Sequence, residues 1–175
     1  MVTVVLQSYS GEWPAIFSRE AKRIELALAG QVIELHHTGS TSVPGLAAKP
    51  IIDITLGVPD STDEATYVSA LVEAGYQFVL REPEWFEHRL LRRDEPRVNL
   101  HIFTVGSEEI ARMLRFRDRL RADAGDRALY ESTKASLAER DWPTVQDYAD
   151  AKSDVVAAIL ARAAAAVTAP PPGSA

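Results

Sequence analysis

His37-Thr38-Gly39-Ser40-Thr41-Ser42-Val43-Pro44-Gly45-Leu46-Ala47-Ala48-Lys49-Pro50-Ile51-Ile52-Asp53-Ile54-Thr55 is a glycine-serine turn that feeds a strand carrying one carboxylate. Gly39 lets the backbone come close to a ligand. Ser40, Thr41 and Ser42 offer hydroxyl and main-chain N–H groups that suit phosphate oxygens. Pro44, Gly45 and Pro50 argue against a long helix, so Thr41 to Pro50 reads as a compact loop or a single turn. Ile51 to Val58 then reads as a strand. Period-two alternation puts Ile52, Ile54, Leu56 and Val58 on one face and Asp53 and Thr55 on the other.

Upstream, Trp13, Ile16, Phe17, Ile24 and Leu28 recur at helical spacing between Glu12 and Ala29, with Gly30 as a stop. Val32 to His37 reads as a strand whose adjacent His36 and His37 point opposite ways and so cannot ligate one metal together. Downstream, Ser61 and Glu64 have capping-box spacing ahead of a helix whose stripe is Ala65, Val68, Leu71 and Val72, ending before Gly75. Tyr76 to Leu80 reads as a strand. Phe86 to Arg93 and Arg97 to Val105 read as a hairpin around Asp94-Glu95-Pro96, with Asn99 and His101 on the face opposite Leu100 and Ile102. The remainder is helical: one helix from near Ser107 with Glu108 and Glu109 in its first turn, one from about Asp126 to Glu139, and one from about Thr144 to Ala165. Strands followed by helices imply an α/β fold of the α+β kind, a mixed sheet with packed helices and a helical C-terminal third. The expected organisation is a single domain over residues 1–167 and a disordered proline-rich tail over 168–175.

The 175 residues, 46% of them hydrophobic, suffice for one substantial core. A formal charge of -6 argues against broad attraction to nucleic acid or to an anionic membrane, so any anion site is local. There is no cysteine, hence neither disulfide nor thiolate metal site, and no apolar run of membrane-spanning length. The expectation is a soluble, cytoplasmic protein that takes a small molecule and binds neither nucleic acid nor membrane; the oligomeric state is open.

Asp53 follows Ser40 by thirteen positions on the next strand, an arrangement that resembles the signature of the DNA polymerase β-like nucleotidyltransferase superfamily: a hydrophobic residue, Gly, Gly or Ser, a gap, then Asp-hydrophobic-acid. A resemblance over nearly the whole chain is to the GrpB-like family. It rests on the opening stretch up to Ile54, on Leu100-His101-Ile102 and on Phe116-Arg117-Asp118-Arg119-Leu120-Arg121. Trp13-Pro14, Tyr130 with Lys134, and Tyr148 with Lys152 agree with it. The resemblance implies a nucleotidyltransferase-like fold, in which the turn holds nucleotide phosphates and paired acids hold divalent metals, and a domain that also occurs fused to dephospho-CoA kinase.

One departure stands out. The superfamily's second acid, two residues after Asp53, is Thr55 here, and a threonine hydroxyl is a poor substitute in a two-metal centre. By the resemblance, His101 lies near the place of the third acid. Asp53 and His101 could bind one divalent ion, Mg or Mn, or form a hydrogen-bonded pair. In the enzyme reading, the chain transfers a nucleotidyl group from a nucleoside triphosphate to a small acceptor. Ser40 and Asp53 are its candidate catalytic residues. Gly39, Ser40 and Thr41 hold phosphates, and Lys49, Arg89, Arg117, Arg121, Lys134 and His101 supply the remaining ligand contacts. Arg117 and Arg121, four apart, share a helix face. The alternative is a non-catalytic module that binds a nucleotide or phosphorylated metabolite and has a degenerate metal site.

Overall fold

A computed structural model describes residues 1–30 and 34–168. In chain order the elements are β1 (Val2–Thr3), α1 (Trp13–Leu28), β2 (Glu34–Thr38), β3 (Ile52–Val58), α2 (Val68–Glu73), β4 (Gln77–Glu82), β5 (His88–Arg93), β6 (Val98–Thr104), α3 (Glu108–Ala122), α4 (Ala124–Ala138), β7 (Asp141–Trp142), α5 (Val145–Asp150) and α6 (Ser153–Thr168). Short 3-10 turns lie at Ser40–Ser42 and Glu64–Thr66. The fold is α+β. Contacts divide the chain into two compact units, one of Gln7–Leu114 and one of Met1–Leu6 with the residues from Arg115 onward. No helix among the described residues is long and apolar enough to cross a membrane.

The first of these units is built on a five-stranded sheet of order β2-β3-β6-β5-β4, in which β3 and β6 are parallel and the other neighbours antiparallel. Alternation on β3 and β6 gives one apolar face. Ile54, Leu56, Leu100 and Ile102 are fully buried there, packed with Trp13, Ile24 and Leu28 of α1 and Leu71 of α2. Pro14 sits in the first turn of α1, where its missing N–H costs nothing, and Ala29 in the left-handed region (φ 47°) ends that helix. Glu20 of α1 is buried but not unpaired: the Tyr76 hydroxyl donates to it at 2.7 Å and Arg93 reaches it at 3.3 Å. The same alternation turns Asp53, Thr55, Asn99 and His101 to the opposite face. The parallel register sets Asp53 beside Asn99 and Thr55 beside His101.

In the second unit β1 pairs antiparallel with β7, a ladder of two residues per strand that is too short to leave a pattern in the sequence. The Asp123 carboxylate caps α4 by accepting the Asp126 N–H, and the Asp126 carboxylate is held between Arg119 (2.6 Å) and Arg162 (2.7 Å).

Two expected elements take a different form. Ser61 does not build a capping box with Glu64. It is fully buried, its hydroxyl donates to the Glu87 carbonyl, and the Glu64 carboxylate is engaged by Arg81 and Arg89 instead. The helix expected over 144–165 is two helices. The Lys152 amide bonds the Ala149 carbonyl, a tight turn that closes α5, and α6 restarts with Asp154 in its first turn. Residues 32 and 33 of the expected strand before the turn, and residues 169–175 of the expected tail, lie outside the described residues.

Candidate functional site

β2 runs out at Thr38, and the chain reverses through Gly39 and the Ser40–Ser42 turn before it reaches β3. The Ser42 amide and hydroxyl both donate to the Gly39 carbonyl, at 3.2 and 2.6 Å, and the Val43 amide donates to Ser40. Gly39 has φ 65° and ψ -175°, a conformation essentially confined to glycine. It is also pressed against the Asp53 carboxyl: a Cβ there would stand 2.9 Å from both Cβ and Cγ of Asp53, too close for either to stay in place. Gly39 and the acid are therefore one packed unit, fourteen positions apart in sequence and in contact in space.

Asp53 accepts from the Asn99 amide at 2.9 Å, and its Oδ1 lies 3.8 Å from His101 Nε2. Burial opposes its ionisation, but His101, the Asn99 amide and the Lys49 ammonium outweigh that and hold the carboxyl below its ordinary pKa. Lys49, at the other end of the loop, is half-buried. Burial, aided by the charges of Arg97 and Arg92 and opposed by Asp53, lowers its pKa from the usual lysine value. Arg92 also donates to Asn99 Oδ1 at 3.2 Å. The site thus holds one carboxylate that feels the Lys49 charge, with Arg92 bonded to the Asn99 side chain that donates to it.

Thr55, in the place of the missing second acid, is fully buried. Its hydroxyl pairs with that of Thr38 at 2.8 Å and lies 3.5 Å from Met113 Sδ. Among the described residues no group of three or more His, Asp or Glu side chains is arranged to hold a metal ion.

Gly39, Ser40, Lys49, Asp53 and His101 thus fall in one region. Two other expected contacts do not join them. Thr41 is turned inward, its hydroxyl between His37 Nε2 (3.0 Å) and the Ile51 carbonyl (3.2 Å), so it braces the turn rather than offering a ligand contact. His37 itself stacks on Phe17 of α1 with ring centroids 4.8 Å apart. Arg89 pairs across the hairpin with Ile102, which places it on the helix-covered face, where Glu64 holds it at 2.6 Å. Arg117, Arg121 and Lys134 belong to the other unit. Arg117 donates to Asp118 at 2.7 Å, Arg121 lies 3.8 Å from the same carboxylate, and Lys134 is buried over the Tyr130 ring. Burial, then the charge of Lys152, pushes the Lys134 pKa down to about 7, against the pull of Glu131.

Asn99, Arg92 and Arg97 were not among the expected site residues. Hairpin register would have found the first two: a turn centred on residues 95 and 96 pairs Arg92 with Asn99, and the parallel ladder pairs Asn99 with Asp53. Sequence reading also missed His88. Its ring is almost fully buried, with Nε2 3.0 Å from His101 Nδ1 and Nδ1 2.7 Å from Glu82 Oε2. Burial, then the charge His101 can carry, pushes the His88 pKa down to about 4, although the Glu82 carboxylate pulls it up. Nearby Glu109 is buried beside Arg112, and burial pushes its carboxyl up.

The sequence profile of the GrpB protein family matches residues 3–162. The chain belongs to the GrpB family. A UPF0157 protein of Halalkalibacterium halodurans, BH1888, is 52% identical over 161 residues, which cover 92% of this chain and 83% of that protein. A UPF0157 protein of Streptomyces coelicolor, SCO7215, is 48% identical over 161 residues, 92% of this chain and 84% of that one. The crystal structure of the conserved protein GrpB from Enterococcus faecalis is similar with a TM-score of 0.80 at 29% identity, covering 91% of this chain and 96% of that chain. The GrpB match includes residues of both units.

Proposed function

We propose that this GrpB-family chain binds the phosphate groups of a nucleotide, or of a related phosphorylated metabolite, at the Gly39–Ser40 turn, in the manner of nucleotidyltransferase-like folds and in the cytoplasm. The observation that carries the reading is the Gly39 turn packed against Asp53, with the half-buried Lys49 ammonium at the other end of the loop, in a chain of net charge -6. Local positive charge in an acidic protein suits a small anion rather than a polyanion. The Ser40 hydroxyl and the Lys49 ammonium supply the hydrogen bond and the point charge that phosphate oxygens need.

A divalent-metal pair would need a second acid facing Asp53. Thr55 is buried, and its hydroxyl is already bonded to Thr38. These residues do not fit a two-metal centre. The proposed site therefore binds phosphate without depending on Mg or Mn, and Asp53 holds the turn and orients its neighbours.

A second reading, nucleotidyl transfer to a small acceptor, is favoured by His101 Nε2 standing 3.8 Å from the Asp53 carboxylate. In that reading the acceptor oxygen attacks the α-phosphorus and the bond to pyrophosphate breaks. The acceptor's proton passes to His101, which the carboxylate steadies as an imidazolium.

Calorimetric titration with nucleoside triphosphates, in EDTA and in Mg²⁺, tests the first reading. Binding is expected in both. Lys49→Ala should weaken it by about tenfold or more, the scale of one lost charged hydrogen bond. Asp53→Asn removes a negative charge from an anion site and should leave affinity unchanged or raise it. Binding that needs Mg²⁺ and disappears with Asp53→Asn would replace this reading with metal-dependent transfer.

A further inference from the structure

Four side chains on one face of the sheet form a line across β3, β6, β5 and β4. Antiparallel pairing of Leu90 with His101 puts His88, two residues earlier on β5, on the same face, and Glu82 of β4 pairs directly with His88. From the exposed end inward, Glu82 Oε2 meets His88 Nδ1 at 2.7 Å, and His88 Nε2 meets His101 Nδ1 at 3.0 Å. His101 Nε2 then faces Asp53 Oδ1 at 3.8 Å. The His88 ring is packed on Phe103, with centroids 4.8 Å apart, and edge-on to Trp85 at 4.6 Å.

The protons along this line follow from what each atom can do. An ionised carboxylate only accepts, so His88 Nδ1 carries a hydrogen and donates it to Glu82. A ring buried among aromatic side chains stays neutral, because burial penalises the imidazolium. Its Nε2 is then a bare acceptor, and the donor to it has to be His101 Nδ1–H. With Nδ1 committed to His88, Nε2 is the ring nitrogen left to gain or release a proton beside Asp53. Free histidine prefers its hydrogen on Nε2, so the Nδ1 hydrogen is imposed by His88.

We infer that His88 and Glu82 are positioning residues: they keep a hydrogen on His101 Nδ1, so that Nε2, beside Asp53, is the nitrogen that exchanges a proton with the site. Partners of this kind behind a functional histidine are a recurrent way to fix its orientation and raise its basicity. The inference concerns the site proposed above. Its test is read in ligand-free protein, so it can fail where nucleotide binding succeeds, and the reverse.

The test is the ring ¹⁵N shifts of His101 in histidine-labelled protein near neutral pH, the four histidines of the chain being assigned by single substitution. Wild type should show Nδ1 protonated. His88→Phe keeps the aromatic stack and removes the acceptor; the His101 hydrogen should move to Nε2, towards Asp53. His88→Gln, whose amide oxygen can accept from His101 while its NH₂ donates to Glu82, should restore the wild-type tautomer. Glu82→Ala, at a half-exposed strand position, should shift the population in the same direction as His88→Phe, by less. A wild-type ring with a bare Nδ1 would overturn the inference, as would a ring state that neither His88→Phe nor Glu82→Ala changes.

Discussion

The two faces of β3 and β6 are made by alternate residues of the same two strands, and they hold opposite chemistry. On one, Ile54, Leu56, Leu100 and Ile102 are sealed under α1 and α2. On the other, Asp53, Asn99 and His101 remain partly exposed and bonded to one another. The contrast teaches that stability and the candidate site are separable in this unit, although no more than one residue of chain divides them. Apolar burial on the first face holds the strands in register, and that register alone brings Asp53 of β3 beside Asn99 of β6. Thr55 marks the limit of the separation: it sits on the site face, yet is as buried as the core.

The largest effect should come from the apolar face. Leu100→Ala leaves a cavity in a fully buried position and should cost about 2–5 kcal/mol in denaturant unfolding. Protein that remains folded should keep wild-type triphosphate affinity; a matching loss of affinity would show that the faces are coupled. Gly39→Ala comes next. Its backbone strain alone should cost about 1–3 kcal/mol. Because the new methyl group displaces the Asp53 carboxyl, ligand binding should fall further than stability does.

The smallest effect is in the pH dependence of stability. The folded-state pKa of Asp53 lies below the ordinary value, so its contribution is present above the ordinary aspartate range of about 4. That contribution is lost as pH falls through the depressed folded-state value. Asp53→Asn should therefore flatten the acid limb of the stability curve and leave the neutral region level. Equal acid slopes in the two proteins would show that the carboxylate gains nothing from Asn99, His101 and Lys49.

Much of this comparison was legible in the sequence, because it rests on period-two alternation. The Ile52 to Val58 pattern separates the core face of β3 from Asp53, and the Gly39–Ser40 turn marks the candidate site. Contacts that depend on pairing register were less legible. Arg89 and Arg92 are three apart on β5, and only the ladder tells which of them reaches Asn99. Thr41 looked like a ligand group because its hydroxyl is adjacent to that of Ser40. Its burial against His37 follows from the 3-10 turn, which a glycine-serine sequence does not by itself specify. The Ser61 capping box failed for a related reason, since tertiary partners took both of its members. The two-residue β1–β7 ladder and the Glu82–His88–His101 line leave no local pattern at all.

The most direct measurement of the central claim is a crystal structure with a nonhydrolysable nucleoside triphosphate and Mn²⁺, whose anomalous signal marks each bound ion. The account predicts phosphate oxygens within hydrogen-bonding distance of the Ser40 hydroxyl and the Lys49 ammonium, with Thr55 still bonded to Thr38. Two Mn²⁺ ions bridging the phosphates at Asp53, or a triphosphate bound away from the Gly39–Ser40 turn, would contradict it.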